Sequence, residues 1–178
     1  RLNAMGFPMW TAGGVPICAA FGVQDAVAMT SDGAGGAILT WQDFRGPTMD
    51  VYAQRVNPMG AAVWTANGVA VCTVDQWQER PVITGDGAGG AIIAWEDVRS
   101  FIDYDVYAQR VGAAGVPQWA ADGVPVSVAS GAQGETAITS DGAGGALIAW
   151  ADTRTGGFDI RAQRVSGAGA MQWAIDGT

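Results

Sequence analysis

Lysine and histidine are absent from this chain, and only 15% of its 178 residues are charged. Their absence excludes the usual Ser-His, Cys-His and lysine-dependent forms of nucleophilic catalysis. Nine basic against seventeen acidic residues give a formal net charge of -8, which argues against the basic patches that bind nucleic acids and anionic membranes. No apolar run approaches the roughly 20 residues of a membrane span. We therefore expect no nucleic-acid partner and no membrane span.

Patterns typical of helices are also scarce, whereas glycine and apolar residues are abundant. The chain has 27 glycines and eight tryptophans, and 49% of its residues are hydrophobic. Valine, isoleucine and tryptophan favour strands, and glycine favours the tight turns between them. The composition predicts an all-β protein.

The sequence repeats itself with a period of 54 or 55 residues. Such a period is typical of repeat architectures. Four motifs recur: Asp-Gly-Ala-Gly-Gly-Ala from Asp32, Asp86 and Asp141; Trp-x-Asp-x-Arg from Trp41, Trp95 and Trp150; Asp-(Val/Ile)-x-Ala-Gln-Arg-Val from Asp50, Asp105 and Asp159; and Trp-x-x-x-Gly from Trp10, Trp64, Trp119 and Trp173. These motifs divide a single repeat domain, 1–178, into the end of a preceding repeat (1–9), repeats 10–63, 64–118 and 119–172, and the start of a further repeat (173–178).

Each copy contains four strand-like stretches separated by turn residues. In the middle copy they are 69–73, 81–84, 90–96 and 105–111. Asp86 and the glycine after it predict a hairpin turn, because glycine tolerates positive φ. We expect the four strands of a copy to form one antiparallel sheet.

The third of these strands is apolar on both faces. Ile93 and Trp95 lie on one face by period two, and Ile92 and Ala94 lie on the other. Both faces should therefore be buried. The middle strand of a propeller blade is covered by blades on both sides, which makes a β-propeller-like fold the leading prediction.

The order of a strand, Ser-Asp-Gly, an apolar strand ending in Asp-x-Arg, and then Asp-Ile-(Tyr)-x-x-(Arg) resembles the four-stranded blade repeats of bacterial TolB-like β-propellers. More distantly, it resembles the Asp-box repeats of sialidase-type propellers. The resemblance implies a propeller-like fold, and we expect a secreted, extracellular or cell-surface location. A closed propeller typically has 4 to 8 blades, and only about three copies are present. A three-unit β-trefoil or β-prism is the alternative.

Polar residues that recur in every copy are expected to support the fold. The aspartate of the Asp-Gly-Ala motif, such as Asp86, should accept turn hydrogen bonds. Each Asp-x-Arg pair, such as Asp97 with Arg99, should form one charge-assisted hydrogen-bond cluster with the arginine of the next strand, such as Arg110. An active site normally breaks the symmetry of a repeat. We therefore predict no catalytic residue, no metal site and no cofactor.

Trp77 falls outside the repeat pattern, because the other copies have Val23 and Ala132 at its position. Either it anchors its own loop or it makes a specific contact. Nearby loops carry apolar residues where a solvated monomer would have polar ones, and clusters of that kind mark interfaces. The predicted binding residues are Trp77, Glu79, Arg80, Phe101 and Tyr104.

Three functions are compatible with these features. The leading hypothesis is a non-catalytic structural or adhesive repeat module, acting through protein-protein assembly with itself or with neighbouring repeats, as in a filament. The first alternative is a carbohydrate-binding, lectin-like module that binds glycan through Trp77 and loop acids. The second is a fragment of a propeller glycosidase, although no acidic pair outside the repeat is present to catalyse hydrolysis.

The two ends of the chain are redundant, because 1–14 repeats the role of 164–177. Three blades cannot close a ring, and uncovered sheet edges promote association. We therefore expect no closed monomer. Either the chain is a stretch of a longer array, or its copies join end to end or pair into a six-bladed ring.

The two cysteines occupy equivalent positions in separate copies. Cys18 and Cys72 each lie eight residues after a marker tryptophan. Units one repeat apart separate the Cα atoms beyond the roughly 7 Å that a disulfide permits. We expect two free, buried thiols.

Overall fold

The computed structural model describes all residues, 1–178, and shows a protein built only from β-strands, turns and loops. The strands are β1 (Gln24–Ser31), β2 (Ala37–Asp43), β3 (Asp50–Val56), β4 (Val69–Cys72), β5 (Gln78–Gly85), β6 (Ala91–Asp97), β7 (Asp105–Val111), β8 (Val124–Ser127), β9 (Gln133–Ser140), β10 (Ala146–Asp152) and β11 (Asp159–Val165). They form three antiparallel sheets in the orders β1-β2-β3-β4, β5-β6-β7-β8 and β11-β10-β9, called here the first, second and third sheets. The all-β prediction is confirmed, and no helix is present that could cross a membrane.

The hairpin between the first two strands of each sheet is held by its aspartate, as expected. In the second sheet, Asp86 Oδ1 accepts hydrogen bonds from the backbone nitrogens of Ala88 and Gly90, both at 2.8 Å. Gly87 has a φ of +75°, a conformation that a side chain disfavours. The same bonds recur at Asp32 and Asp141.

The fourth strand of a sheet comes from the following sequence copy. Val69 of β4 lies opposite Ala53 of β3, and β8 pairs with β7 in the same way. The expectation that the four strands of one copy form one sheet is therefore wrong. The first strand-like stretch of the second and third copies belongs to the preceding sheet. Residues 57–68 fold into tight turns with an isolated bridge between Val56 and Ala62, and these turns return the chain along the open edge of β3.

The strand β6 is buried on both faces because a sheet lies against each of them. Ile93 and Trp95 pack with Ile38 and Val51 of the first sheet, whereas Ile92 packs with residues of the third sheet. This two-sided burial confirms the prediction for the third strand-like stretch of the middle copy. The tryptophans Trp41, Trp95 and Trp150 occupy equivalent buried positions, with exposed fractions of 4%, 0% and 1%.

Each sheet is also joined to the next by a tryptophan from the turn before its fourth strand. The indole nitrogen of Trp64 donates to the carbonyl oxygen of Ala113 at 3.0 Å, and that of Trp119 donates to Gly167 at 3.1 Å. Each indole lies over the glycine of the turn it caps. A Cβ atom added to Gly115 would lie 2.6 Å from Trp64 Cγ. Close packing against the next unit therefore requires glycine at that position.

The two cysteines are unpaired, as expected. Cys72 is buried, and desolvation raises the pKa of its thiol to about 12. Cys18 is half-buried rather than fully buried, and its Sγ lies 3.4 Å from the Nη2 atom of Arg45.

Candidate functional site

The Trp-x-Asp-x-Arg motif forms a buried charged cluster at the end of the second strand of every sheet. In the second sheet, Asp97 accepts hydrogen bonds from Trp95 Nε1 at 2.8 Å and from Arg99 Nη2 at 2.6 Å. Arg99 Nη2 also donates to the carbonyl oxygen of Asp122 at 2.9 Å, and the guanidinium stacks 3.7 Å from the centroid of the Tyr107 ring. The Asp97 carboxylate and the Nε and Nη2 atoms of Arg99 are thus engaged within the fold.

The arginine of the next strand does not join this cluster, contrary to expectation. Arg110 forms an ion pair with Asp86 at 2.9 Å. The strands are antiparallel, so Arg110 lies opposite Ile92 near the start of β6, whereas Asp97 lies at the other end, opposite Asp105. The sequence therefore contains two separate charged clusters per unit.

Each Asp-x-Arg cluster places a second carboxylate directly across the strand pair. Asp50 lies opposite Asp43, and Asp105 lies opposite Asp97. Desolvation and the neighbouring acids raise the pKa of Asp50 and of Asp105 to about 6. In contrast, hydrogen bonds from Arg154 and Trp150 outweigh desolvation and lower the pKa of Asp152 to about 2.

These opposite shifts predict that stability is greatest near pH 4 and falls as the pH rises toward 6. A carboxyl whose pKa is raised on folding stabilises the fold below the unfolded pKa of about 4, and that stabilisation is lost as the pH rises through about 6. A carboxyl with a lowered pKa stabilises the fold above pH 4, and protonation removes that contribution in acid. We expect Asp105→Asn to raise the free energy of unfolding at pH 8 by about 1 to 3 kcal/mol and to reduce the decline in stability between about pH 4 and pH 6.

Urea unfolding measured from pH 4 to pH 8 checks this expectation. The matched control is Asp159→Asn, because Asp159 occupies the same repeat position in the third sheet and is exposed. A decline between pH 4 and pH 6 that Asp105→Asn leaves unchanged would contradict the assignment to this carboxyl.

A cleft of about 190 Å³ opens where the second and third sheets meet, and its lining includes Arg80, Glu96, Tyr104, Glu135 and Phe158. Arg80 Nη1 lies 3.3 Å from both Glu96 Oε2 and Glu135 Oε1. Glu96 is buried, and desolvation raises the pKa of its carboxyl. The cleft is therefore a partly apolar depression whose single cation is already shared by two carboxylates.

A bulge in the first strand of each sheet fixes the position of Arg80. The register of β5 shifts between Glu79 and Val82, and Arg80 has a φ of +49°. Its backbone nitrogen donates to Gln42 Oε1 of the first sheet at 2.7 Å. The nitrogen of Glu135 donates to Glu96 in the same way at 2.8 Å. A side-chain oxygen on one sheet thus accepts a hydrogen bond from the bulge of the next sheet.

The five predicted binding residues do not form one site. Glu79 and Tyr104 are joined by a 3.1 Å hydrogen bond from the phenol to Glu79 Oε2, and Tyr104 lines the cleft with Arg80. Trp77 lies beside a second cleft of about 240 Å³ at the junction of the first and second sheets. Phe101 is at an exposed loop tip and lines neither cleft.

Sequence reasoning missed Glu96, Glu135 and Phe158 as cleft residues. Phe158 has the same repeat position as Tyr104 and Met49. Each of these residues directly precedes the aspartate that recurs in every copy, which is Asp50, Asp105 or Asp159. An aromatic residue there in two copies was the available signal. Which residues line a cleft depends on how two adjacent sheets pack against each other. The sequence of a single repeat does not specify that packing.

An apolar surface lies on the outward face of the third sheet. Ile160 of β11 is 77% exposed, whereas the equivalent residues Val51 and Val106 are 0% exposed. Leu147 and Ala162 on this face are half-buried. A groove of about 250 Å³ crosses the face, and Trp173, 42% exposed, borders it.

No protein-family model matches the chain, and no curated protein matches its sequence. The first cleft offers aromatic and carboxylate groups, a combination suited to a sugar, but its charged groups already bind one another. The outward face of the third sheet offers apolar area that nothing in the fold covers.

Proposed function

We propose that the three sheets are adjacent blades of a propeller-like array, and that the protein is a non-catalytic structural or adhesive module of the bacterial cell exterior. It acts through protein-protein assembly. The observation that carries this proposal is the outward face of the third sheet, where Ile160 is 77% exposed although its counterparts in the other two sheets are fully buried. A contiguous apolar face of this kind is characteristic of an interface.

The distribution of charged groups supports a structural role over catalysis. The buried aspartates Asp43, Asp97 and Asp152 each hold an arginine two residues away, with contacts of 2.5 to 2.6 Å. The Trp-Asp-Arg contacts recur in all three units, as expected for scaffolding. Glycan binding in the Arg80 cleft is less well supported, because a sugar would have to compete with the two carboxylates that already contact Arg80.

Self-association tests the proposal. We expect the chain to sediment as a species larger than one copy at micromolar concentrations, and Ile160→Asp to weaken that association roughly 10- to 100-fold. An uncompensated carboxylate buried in an interface is costly. The control is Ile175→Asp, which places the same charge at an 89% exposed turn residue outside this face.

Sedimentation velocity over a concentration series gives the measurement. A wild-type chain that sediments as one copy throughout, or an Ile160→Asp variant that associates as strongly as Ile175→Asp, contradicts the proposal.

A further inference from the structure

The outward faces of the first and third sheets are the two halves of an interface that the chain already makes twice. The first sheet directs Ile38 and Val51 toward the second sheet, and the second directs their equivalents toward the third. In the third sheet the same positions hold Leu147 and Ile160, which face outward. This face therefore presents the surface that each of the other sheets buries against its successor.

The first sheet presents the complementary surface. Ile83 and Ile93 of the second sheet pack against the first sheet. Their equivalents in the first sheet are Met29 and Leu39. Met29 is 64% exposed and Leu39 is half-buried. The two outward faces thus match each other in the same way as the faces that are already packed.

Residues 1–15 occupy part of this surface on the first sheet. They align residue by residue with 164–178. Trp10 Nε1 donates to the carbonyl oxygen of Pro58 at 2.9 Å, and Arg1 Nη1 donates to the same oxygen at 3.1 Å. Trp64 and its neighbour Arg55 make the equivalent bonds to the second sheet. The segment therefore copies the contacts of a preceding unit.

Residues 16–18 lie where the fourth strand of a preceding sheet would lie. Cys18 contacts Asp43 and Arg45, and the backbone nitrogen of Ala19 donates to Asn67 Oδ1 at 2.9 Å. Cys72 of β4 contacts Arg99 in the same way. In contrast to β4, residues 16–18 pair with no strand.

The third sheet has the reciprocal deficiency. It contains three strands, and β11 is paired with β10 on one edge only. On its other edge, Ala162 exchanges two 3.0 Å backbone hydrogen bonds with Thr178. The edge of β11 beyond this pair is open to a strand.

We propose that the third sheet of one copy docks on the first sheet of a second copy with strand exchange. Residues 164–178 of the first copy replace residues 1–15 of the second, and residues 16–18 of the second copy pair with β11 as its fourth strand. This inference rests on the proposed function and names its partner as a second copy of the chain. Two copies joined at both ends make a six-sheet ring, and copies joined at one end each make a filament.

The exchange conserves the polar contacts and adds apolar burial. Trp173 and Arg164 of the first copy donate hydrogen bonds to the carbonyl oxygen of Pro58 in the second copy. These bonds replace the ones that Trp10 and Arg1 of the second copy lose. The outward faces of both sheets leave water at the same time, and burial of apolar area is the driving force. Backbone pairing at β11 covers an edge that would otherwise remain exposed.

A disulfide between copies tests the register of this exchange. Val51 lies opposite Cys72 in the first sheet, and Val106 lies opposite Ser127 in the second, so Ile160 of one copy should lie opposite Cys18 of another. Facing residues in antiparallel strands have Cα atoms about 4.5 to 5.5 Å apart, within disulfide range. In the full chain carrying Ile160→Cys, we expect mild oxidation to convert most molecules into disulfide-linked dimers or longer ladders.

Two controls accompany this variant. Adding Cys18→Ser should abolish the crosslink, and Phe158→Cys, which places a cysteine at an 82% exposed loop residue outside the strand register, should crosslink only at a background level. The substitution of the exposed Ile160 leaves the fold intact, as far-ultraviolet dichroism should show.

The outcomes separate this inference from the proposed function. Crosslinking of Ile160→Cys no faster than that of Phe158→Cys overturns the strand exchange. If the same sample still sediments as an assembly, the proposed function stands without the exchange. If it sediments as single copies, both fail.

Discussion

Asp97→Asn is expected to lower the free energy of unfolding by about 3 to 5 kcal/mol, because it leaves the half-buried Arg99 without its buried counter-charge. The side chain of Asp97 is 0% exposed. It accepts hydrogen bonds from the Arg99 backbone nitrogen and Nε, both at 2.9 Å, in addition to those from Trp95 Nε1 and Arg99 Nη2. An asparagine offers only one acceptor oxygen to these donors, and its amide group would face one of them. Urea unfolding followed by tryptophan fluorescence gives the measurement.

The matched control is Asp75→Asn, which removes a carboxylate charge from an exposed residue that makes no side-chain hydrogen bond. Its effect should be within about 0.5 kcal/mol. A loss below about 1 kcal/mol for Asp97→Asn would show that the cluster is not required for stability, and the structural interpretation of the repeated Trp-x-Asp-x-Arg motif would fail with it.

Gly123→Ala is expected to cost about 2 to 5 kcal/mol through two separate effects. Gly123 has a φ of +89°, and an added Cβ would lie 2.5 Å from Trp95 Cη2 and 2.8 Å from the carbonyl oxygen of Ala108. The left-handed backbone costs an L-residue about 1 to 2 kcal/mol, and overpacking a core costs about 1 to 3 kcal/mol. Thermal and urea unfolding of the variant measure the sum.

Gly87→Ala separates the two effects. Gly87 has a φ of +75°, but an added Cβ would meet nothing within 4 Å, so only the backbone cost of about 1 to 2 kcal/mol should appear. Equal losses for the two variants would mean that Trp95 gives way to the new methyl group without cost.

The middle of each sheet was predictable from the sequence because the apolar and polar pattern of a strand reflects which of its faces are buried. The run from Ala91 to Trp95 is apolar on both faces, and only a strand with a sheet on each side buries both. Asp86 beside Gly87 specifies its turn through local hydrogen bonds. Features of this kind depend on residues a few positions apart, and a single copy of the repeat contains them.

Partners that come from a different part of the repeat were not predictable in the same way. Nothing in the sequence of Val69–Cys72 says whether that strand pairs with β3 or begins the next sheet, because both edges accept the same backbone ladder. Arg110 similarly had two candidate aspartates. Its partner Asp86 was decided by the antiparallel register of β6 and β7, which places the arginine at the opposite end from Asp97.

The candidate site was the least predictable part for the same reason. Trp77, Glu79 and Arg80 are close in sequence, yet the tryptophan faces the first sheet and the arginine faces the third. The structure divides them because each junction between sheets forms its own cleft. Departures from the repeat identified Trp77 correctly as unusual but did not show which neighbours it would have.

One set of contacts between successive units spans about one repeat. The bonds from Ala19 to Asn67, from Thr73 to Asp122 and from Val128 to Asp176 join residues 48 or 49 positions apart. No unit therefore depends on the total number of units, only on the one before it and the one after it. A gene encoding such a chain could gain or lose a whole copy by unequal recombination, and every remaining junction would keep its bonds. The number of copies in the chain can then change by selection without any substitution in the copies that remain.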